Sequence, residues 1–185
     1  WPEMPLPEWA KHPVLQGWLF SVQSSRRGDV PLASGQWFLG GHFWFRSRVL
    51  TGNRRFEDTW FTEPYFMLEL VHEGYRGVRG PDAVAGHRIQ PGLLDPANAL
   101  ERASKAGCAF ADVRLRRFRA SVRNARLAHA HPFMARLYCA GAWVHWSLKC
   151  LCLRGVAPES RRFAELLIAT ERKANYAEAL RMVWT

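Results

Sequence analysis

Between positions 40 and 87 the sequence sets out groups that could run a proton transfer beside a metal-bound diphosphate. Glu63 is a carboxylate that could take the proton of an attacking hydroxyl, and a placed general base is worth roughly 10²–10⁴-fold in rate. His87, next to Arg88, could hold a divalent ion where charge develops on a leaving group. Arg46 could grip a phosphate or an acceptor as a planar fork. Trp37, Trp44 and Trp60 offer faces that pack on the C–H surfaces of sugars and lipids. Asp58, in the acidic doublet Glu57-Asp58, is the second choice for the base. Each group also has an ordinary use. Glu63 could stabilise its own helix, His87 could be a hydrogen-bonded structural residue, Arg46 could face solvent, and the tryptophans could fill a core.

The elements that would position these groups can be read from spacing. Residues 42–49 alternate, with Phe43 and Phe45 on one face and His42, Trp44 and Arg46 on the other, which is strand periodicity. Over residues 62–73 the spacing turns helical, with Phe66 and Leu70 beside Met67 and Val71 on one apolar stripe. Thr62 suits the N-cap, Pro64 is tolerated in the first turn, and Gly74 suits the left-handed position just past the helix end. Glu63 would then stand at a helix N-terminus, whose dipole favours the ionised carboxylate. Residues 75–78 and 83–85 read as short strands around a Gly80-Pro81 turn, with His87 just after. Residues 1–13, with four prolines and two tryptophans, read as an extended, irregular leading segment; 14–22 reads as a short helix or strand and 24–34 as a loop. Beyond Pro91 the pattern is helical. Asp95-Pro96 predicts an N-cap followed by a proline at the first helical position, Pro132 and Pro158 predict later helix starts, and three or four helices are expected between Asp95 and Trp184.

The order of these pieces resembles the acceptor-side half of family 2 glycosyltransferases. Gly40-Gly41, Phe43, Phe45 and Arg46 match the strand that lines the acceptor site in that family. Glu63 stands eleven residues before Gly74, the spacing of the family's catalytic base from its Gly-Tyr-Arg helix end, whereas Asp58 stands sixteen before it. Pro81, Ala83, Val84 and His87 match the segment whose histidine helps bind the metal. The resemblance implies an α/β fold, with residues 1–94 forming the acceptor-side part of a GT-A (Rossmann-like) domain; residues 95–185 are expected to follow as a helical extension that their own basic and apolar pattern would set against a membrane. It implies Glu63 as base, His87 at a Mg²⁺ or Mn²⁺ ion, and Gly41, Trp44, Arg46 and Arg88 as substrate-binding residues. The implied reaction moves a sugar from a nucleotide-sugar donor to a glycan or lipid-linked acceptor with inversion, as in polysaccharide biosynthesis. Thr62 stands where the family has the first acid of a doublet, and no Asp-x-Asp occurs anywhere in the sequence. The chain is therefore expected to be a portion of a longer enzyme and inactive without the donor-binding half.

Composition bounds these expectations. The 185 residues are 48% hydrophobic and 23% charged, a globular balance with enough apolar content for a core. A formal net charge of +10 predicts attraction to phosphate-bearing partners: nucleotide diphosphates, anionic lipids or nucleic acid. All four cysteines, Cys108, Cys139, Cys150 and Cys152, fall in the second half. The Cys150-x-Cys152 spacer is too short for a usual zinc knuckle, so the cysteines read as apolar helix filling in a reducing compartment. No signal-peptide pattern is read, and no uncharged run reaches the ~20 residues of a membrane span.

The last third carries a second signal. Residues 114–126 hold six arginines and no acid, while Leu115, Phe118, Val122 and Ala125 recur at helical spacing. Residues 133–153 follow as a long, aromatic-rich apolar helix carrying Arg136, His145 and Lys149. Together they suit a peripheral position on an anionic membrane, at its cytoplasmic inner face, with Arg116, Phe118 and Arg123 as contacts. The same features would serve a helical pair packed on a core. The competing class is a basic nucleic-acid-binding module without catalytic activity. Residues 114–126 offer it only Phe118 for base stacking, and that residue lies on the apolar stripe.

Overall fold

The computed structural model describes residues 5–18, 66, 69–70, 73–75, 90–112, 115 and 130–182. About 80% of these residues are helical and none lies in a strand. This corrects the α/β, Rossmann-like expectation: what is described is a helical assembly. The physical reason lies in the apolar spacing, which recurs every three or four residues and buries each helix against another helix. The strand expected at 42–49 lies outside the described residues. Tyr75, the first residue of the strand expected at 75–78, closes a helix instead.

The chain enters through a 3-10 turn, Glu8–Lys11, and a short helix α1, Pro13–Trp18. The leading segment is thus ordered around Trp9, which is buried. A second 3-10 turn, Pro91–Leu94, leads into α2, Pro96–Asp112. The Asn98 amide donates to Asp95 Oδ1 at 2.9 Å and Pro96 occupies the first helical position, so α2 begins as its sequence predicts. α3 runs over Pro132–Cys152, again with proline at its start. Gly155, at a φ of +79°, turns the chain back toward α4, Arg162–Met182. The start expected at Pro158 falls in the turn instead. The Phe163 and Ala164 amides donate to the carbonyls of Ser160 and Arg161, so helical bonding begins only there.

α4 is the central helix, packed by α2 and by α3. The core gathers Trp9, Ala10 and Leu15 with Ala99 and Ala103 of α2 and Phe163, Ala164 and Leu167 of α4. It takes residues from both sides of position 95. Trp9 meets Phe163 edge to face, with ring centroids 5.6 Å apart, an arrangement worth ~0.5–1.5 kcal/mol beyond area burial. Along the α2–α4 seam α2 presents a buried face of Ala99, Ala103, Ala106, Gly107 and Ala111. Side chains this small let the helix backbones approach closely. At Gly107 an added Cβ would lie 2.2 Å from the Glu171 carbonyl oxygen. The Asn175 side-chain amide donates to the Gly107 carbonyl at 3.2 Å, which satisfies a buried polar group across the same seam.

Candidate functional site

The residues singled out for chemistry lie for the most part outside the described residues. This holds for Gly41, Trp44, Arg46, Asp58, Glu63, His87 and Arg88, for Arg116, Phe118 and Arg123, and for Trp37 and Trp60. Beside Glu63, however, the structure describes the end of the helix that the sequence places there. Phe66 is helical and buried, and Leu70 is half-buried, as the apolar stripe requires. The Glu73 amide donates to the Glu69 carbonyl at 2.9 Å, the ordinary four-residue step. The Tyr75 amide then reaches back five residues to the Leu70 carbonyl at 2.9 Å, with Gly74 at a φ of +89° between them. This is a Schellman termination. A side chain at position 74 would be strained, because Cβ clashes with the following carbonyl in the left-handed region. The glycine eleven residues after Glu63 is thus a true helix stop, followed directly by an exposed tyrosine.

No group of three His, Cys, Asp or Glu side chains able to hold a metal occurs among the described residues. The four cysteines are free. Cys139 and Cys108 are both held above the usual thiol range, chiefly by burial, with the Glu178 carboxylate adding to the effect at Cys108. Both stay protonated at neutral pH and lack the thiolate character of a nucleophile. Cys150 lies 4.0 Å from the Thr170 hydroxyl, which is bonded to the Leu166 carbonyl at 2.8 Å. The Cys150–Thr170 contact joins α3 to α4, and the Thr170–Leu166 bond lies within α4.

A tyrosine pair lies farther along the same seam. The Tyr138 and Tyr176 hydroxyls are 3.3 Å apart, and their rings meet edge to face at 5.9 Å. Burial, and then the Tyr138 hydroxyl, push Tyr176 up to about 12. A phenol that ionises later in the folded chain contributes stability that is complete below pH ~10 and is lost as pH rises toward ~12. Tyr138→Phe removes the hydroxyl contribution and leaves burial. Tyrosinate absorbance should then show the last tyrosine to ionise doing so at lower pH, still above an ordinary phenol. An unchanged titration would assign the whole effect to burial.

The feature sequence reasoning did not resolve is the outer side of α3. None of its residues is fully buried, although the helix is predominantly apolar. Phe133, Leu137, Val144, Leu148 and Leu151 are exposed and recur at intervals of four, seven, four and three, so they share one face. The Lys149 ammonium lies 5.4 Å from the Trp146 ring, on the inner flank. The expected apolar helix at 133–153 is present; which part of it faces solvent follows only from the packing on α4.

Comparison of the chain with known protein families, with curated proteins and with solved structures finds no match.

Proposed function

We propose that this chain supplies the acceptor side of a glycosyl-transfer reaction, in which a sugar passes from a nucleotide-sugar donor to a glycan or lipid-linked acceptor. What supports the reading is local pattern, and no α/β architecture is attached to it. The observation that carries it is the Schellman stop at Gly74, which stands at the required distance from Glu63 and leads into Tyr75.

In this reaction Glu63 takes the proton of the acceptor hydroxyl. The freed oxygen forms its bond to the anomeric carbon as the bond to the diphosphate breaks on the opposite face, which inverts that centre. Arg46 and Arg88 hold anionic groups, and Gly41 and Trp44 line the acceptor side. His87 would hold a Mg²⁺ or Mn²⁺ ion, which would neutralise charge on the departing diphosphate.

The test is transfer of labelled sugar from a panel of uridine and guanosine diphosphate sugars to glycan and lipid acceptors, using the protein expressed from its own gene. Transfer from one donor is the expected result. No transfer from any donor, with tight and salt-sensitive binding of nucleic acid, would overturn the proposal in favour of a nucleic-acid module. In an active preparation His87→Ala should raise the Mn²⁺ or Mg²⁺ concentration needed for half-maximal rate. Unchanged metal dependence would make His87 a structural residue.

A further inference from the structure

We infer that α3 lies flat on an anionic lipid surface, with the face marked by Phe133, Leu137, Val144, Leu148 and Leu151 set into the headgroup region. The inference is independent of the Glu63 chemistry, because it uses only the helical residues 130–182. α3 is backed by α4 on one side, and the other side leaves large apolar side chains in water along its length. Leu137 is 54% exposed and Leu148 is 56% exposed. A helix of this length spans about 30 Å, so the stripe is a continuous patch of the kind that marks an interface.

Charge decides what covers it. Residues 131–154 contain no Asp or Glu, and Arg154 adds a cation just past the end of α3 in a chain of net charge +10. A second copy would set one chain of net charge +10 against another across a stretch that holds no acid. Anionic headgroups supply the missing charge, and acyl chains accept the leucines. Trp143, exposed, has the amphipathic ring found at headgroup depth. No described helix is long and apolar enough to cross a membrane, and an apolar face on one side of α3 suits a helix lying parallel to the surface.

The experiment is co-sedimentation of the full chain with phosphatidylglycerol–phosphatidylcholine vesicles and with pure phosphatidylcholine vesicles. Binding at least tenfold tighter to the anionic vesicles is expected. Leu137→Glu and Leu148→Glu change exposed positions, so circular dichroism should show their helix content intact while vesicle affinity falls more than tenfold. Arg154→Glu lies outside the core and reads the charge contribution separately. It should weaken binding to anionic vesicles about tenfold and leave the neutral-vesicle baseline unchanged. Absence of binding to anionic vesicles, or equal binding by the leucine variants, overturns the inference. So does sedimentation showing a dimer that the leucine variants split in the absence of vesicle binding, which would give the face to a second copy.

Discussion

Gly107→Ala should destabilise the fold, although the same substitution in an ordinary helix is favourable. Alanine gains about 1 kcal/mol over glycine from helix propensity. At Gly107 the new methyl would lie 2.2 Å from the Glu171 carbonyl oxygen and 2.9 Å from both the Ala174 Cβ and the Asn175 amide nitrogen. Two of these obstacles are backbone atoms of α4 and cannot swing aside. α2 and α4 must therefore separate, which loosens the bond from Asn175 and the alanine packing on either side. Overpacking of this kind costs ~1–3 kcal/mol or more, and it outweighs the propensity gain. For a net loss of about 2 kcal/mol the thermal midpoint should fall by roughly 4–8 °C. Gly141→Ala in α3 is the control. Nothing lies within 4 Å of a Cβ built there, so propensity acts alone and the midpoint should rise slightly. Calorimetric scans of both variants check the pair; an increase at both positions would mean that α2 and α4 do not cross as closely as described.

Glu63→Gln should lower turnover at least a hundredfold while leaving donor binding intact. The amide keeps the shape and hydrogen-bonding reach of the carboxylate but cannot accept the acceptor's proton. A hundredfold loss corresponds to about 2.7 kcal/mol of transition-state stabilisation, within the usual range for a general base. A loss confined to turnover separates a group acting in the transition state from one that merely binds substrate. Asp58→Asn serves as the internal comparison, since Asp58 belongs to the true acidic doublet but stands five residues too far from Gly74. Near-normal turnover in Glu63→Gln with an inactive Asp58→Asn would move the role to Asp58.

Both predictions concern positions where a residue's type alone says little. Gly107 reads in the sequence as one small residue in an alanine-rich helix, and only the passage of Glu171 alongside makes it indispensable. Gly74 is the opposite case. Its role as a helix stop follows from local pattern, since an apolar stripe that ends in glycine has a low-energy termination that needs no distant partner. Asp95-Pro96 and Pro132 belong to the same class. An N-cap side chain and a proline at the first helical position satisfy or remove amide groups within a few residues, so their effect is encoded where they stand. Pro158 shows the limit: the same signal placed just after the reversal at Gly155 falls in a turn, because α4 starts only where its apolar face meets the core.

By itself, then, the sequence determined the helix boundaries at residues 74, 96 and 132, the apolar character of α3, the excess of positive charge and the spacing of Glu63 from its helix stop. Those properties depend on neighbours within about a turn of helix or on composition, and short-range chemistry is sufficient to read them. The tertiary structure alone decided that the described residues form helices packed on helices rather than an α/β sandwich. It also decided that Trp9 joins the core with Phe163, that Tyr138 lies against Tyr176, that Gly107 admits the backbone of α4, and that α3 is left with one apolar face in solvent. Each of these joins residues tens of positions apart or more. An apolar stripe states only that a face must be buried, and the choice of what buries it is made by the packing of the whole chain.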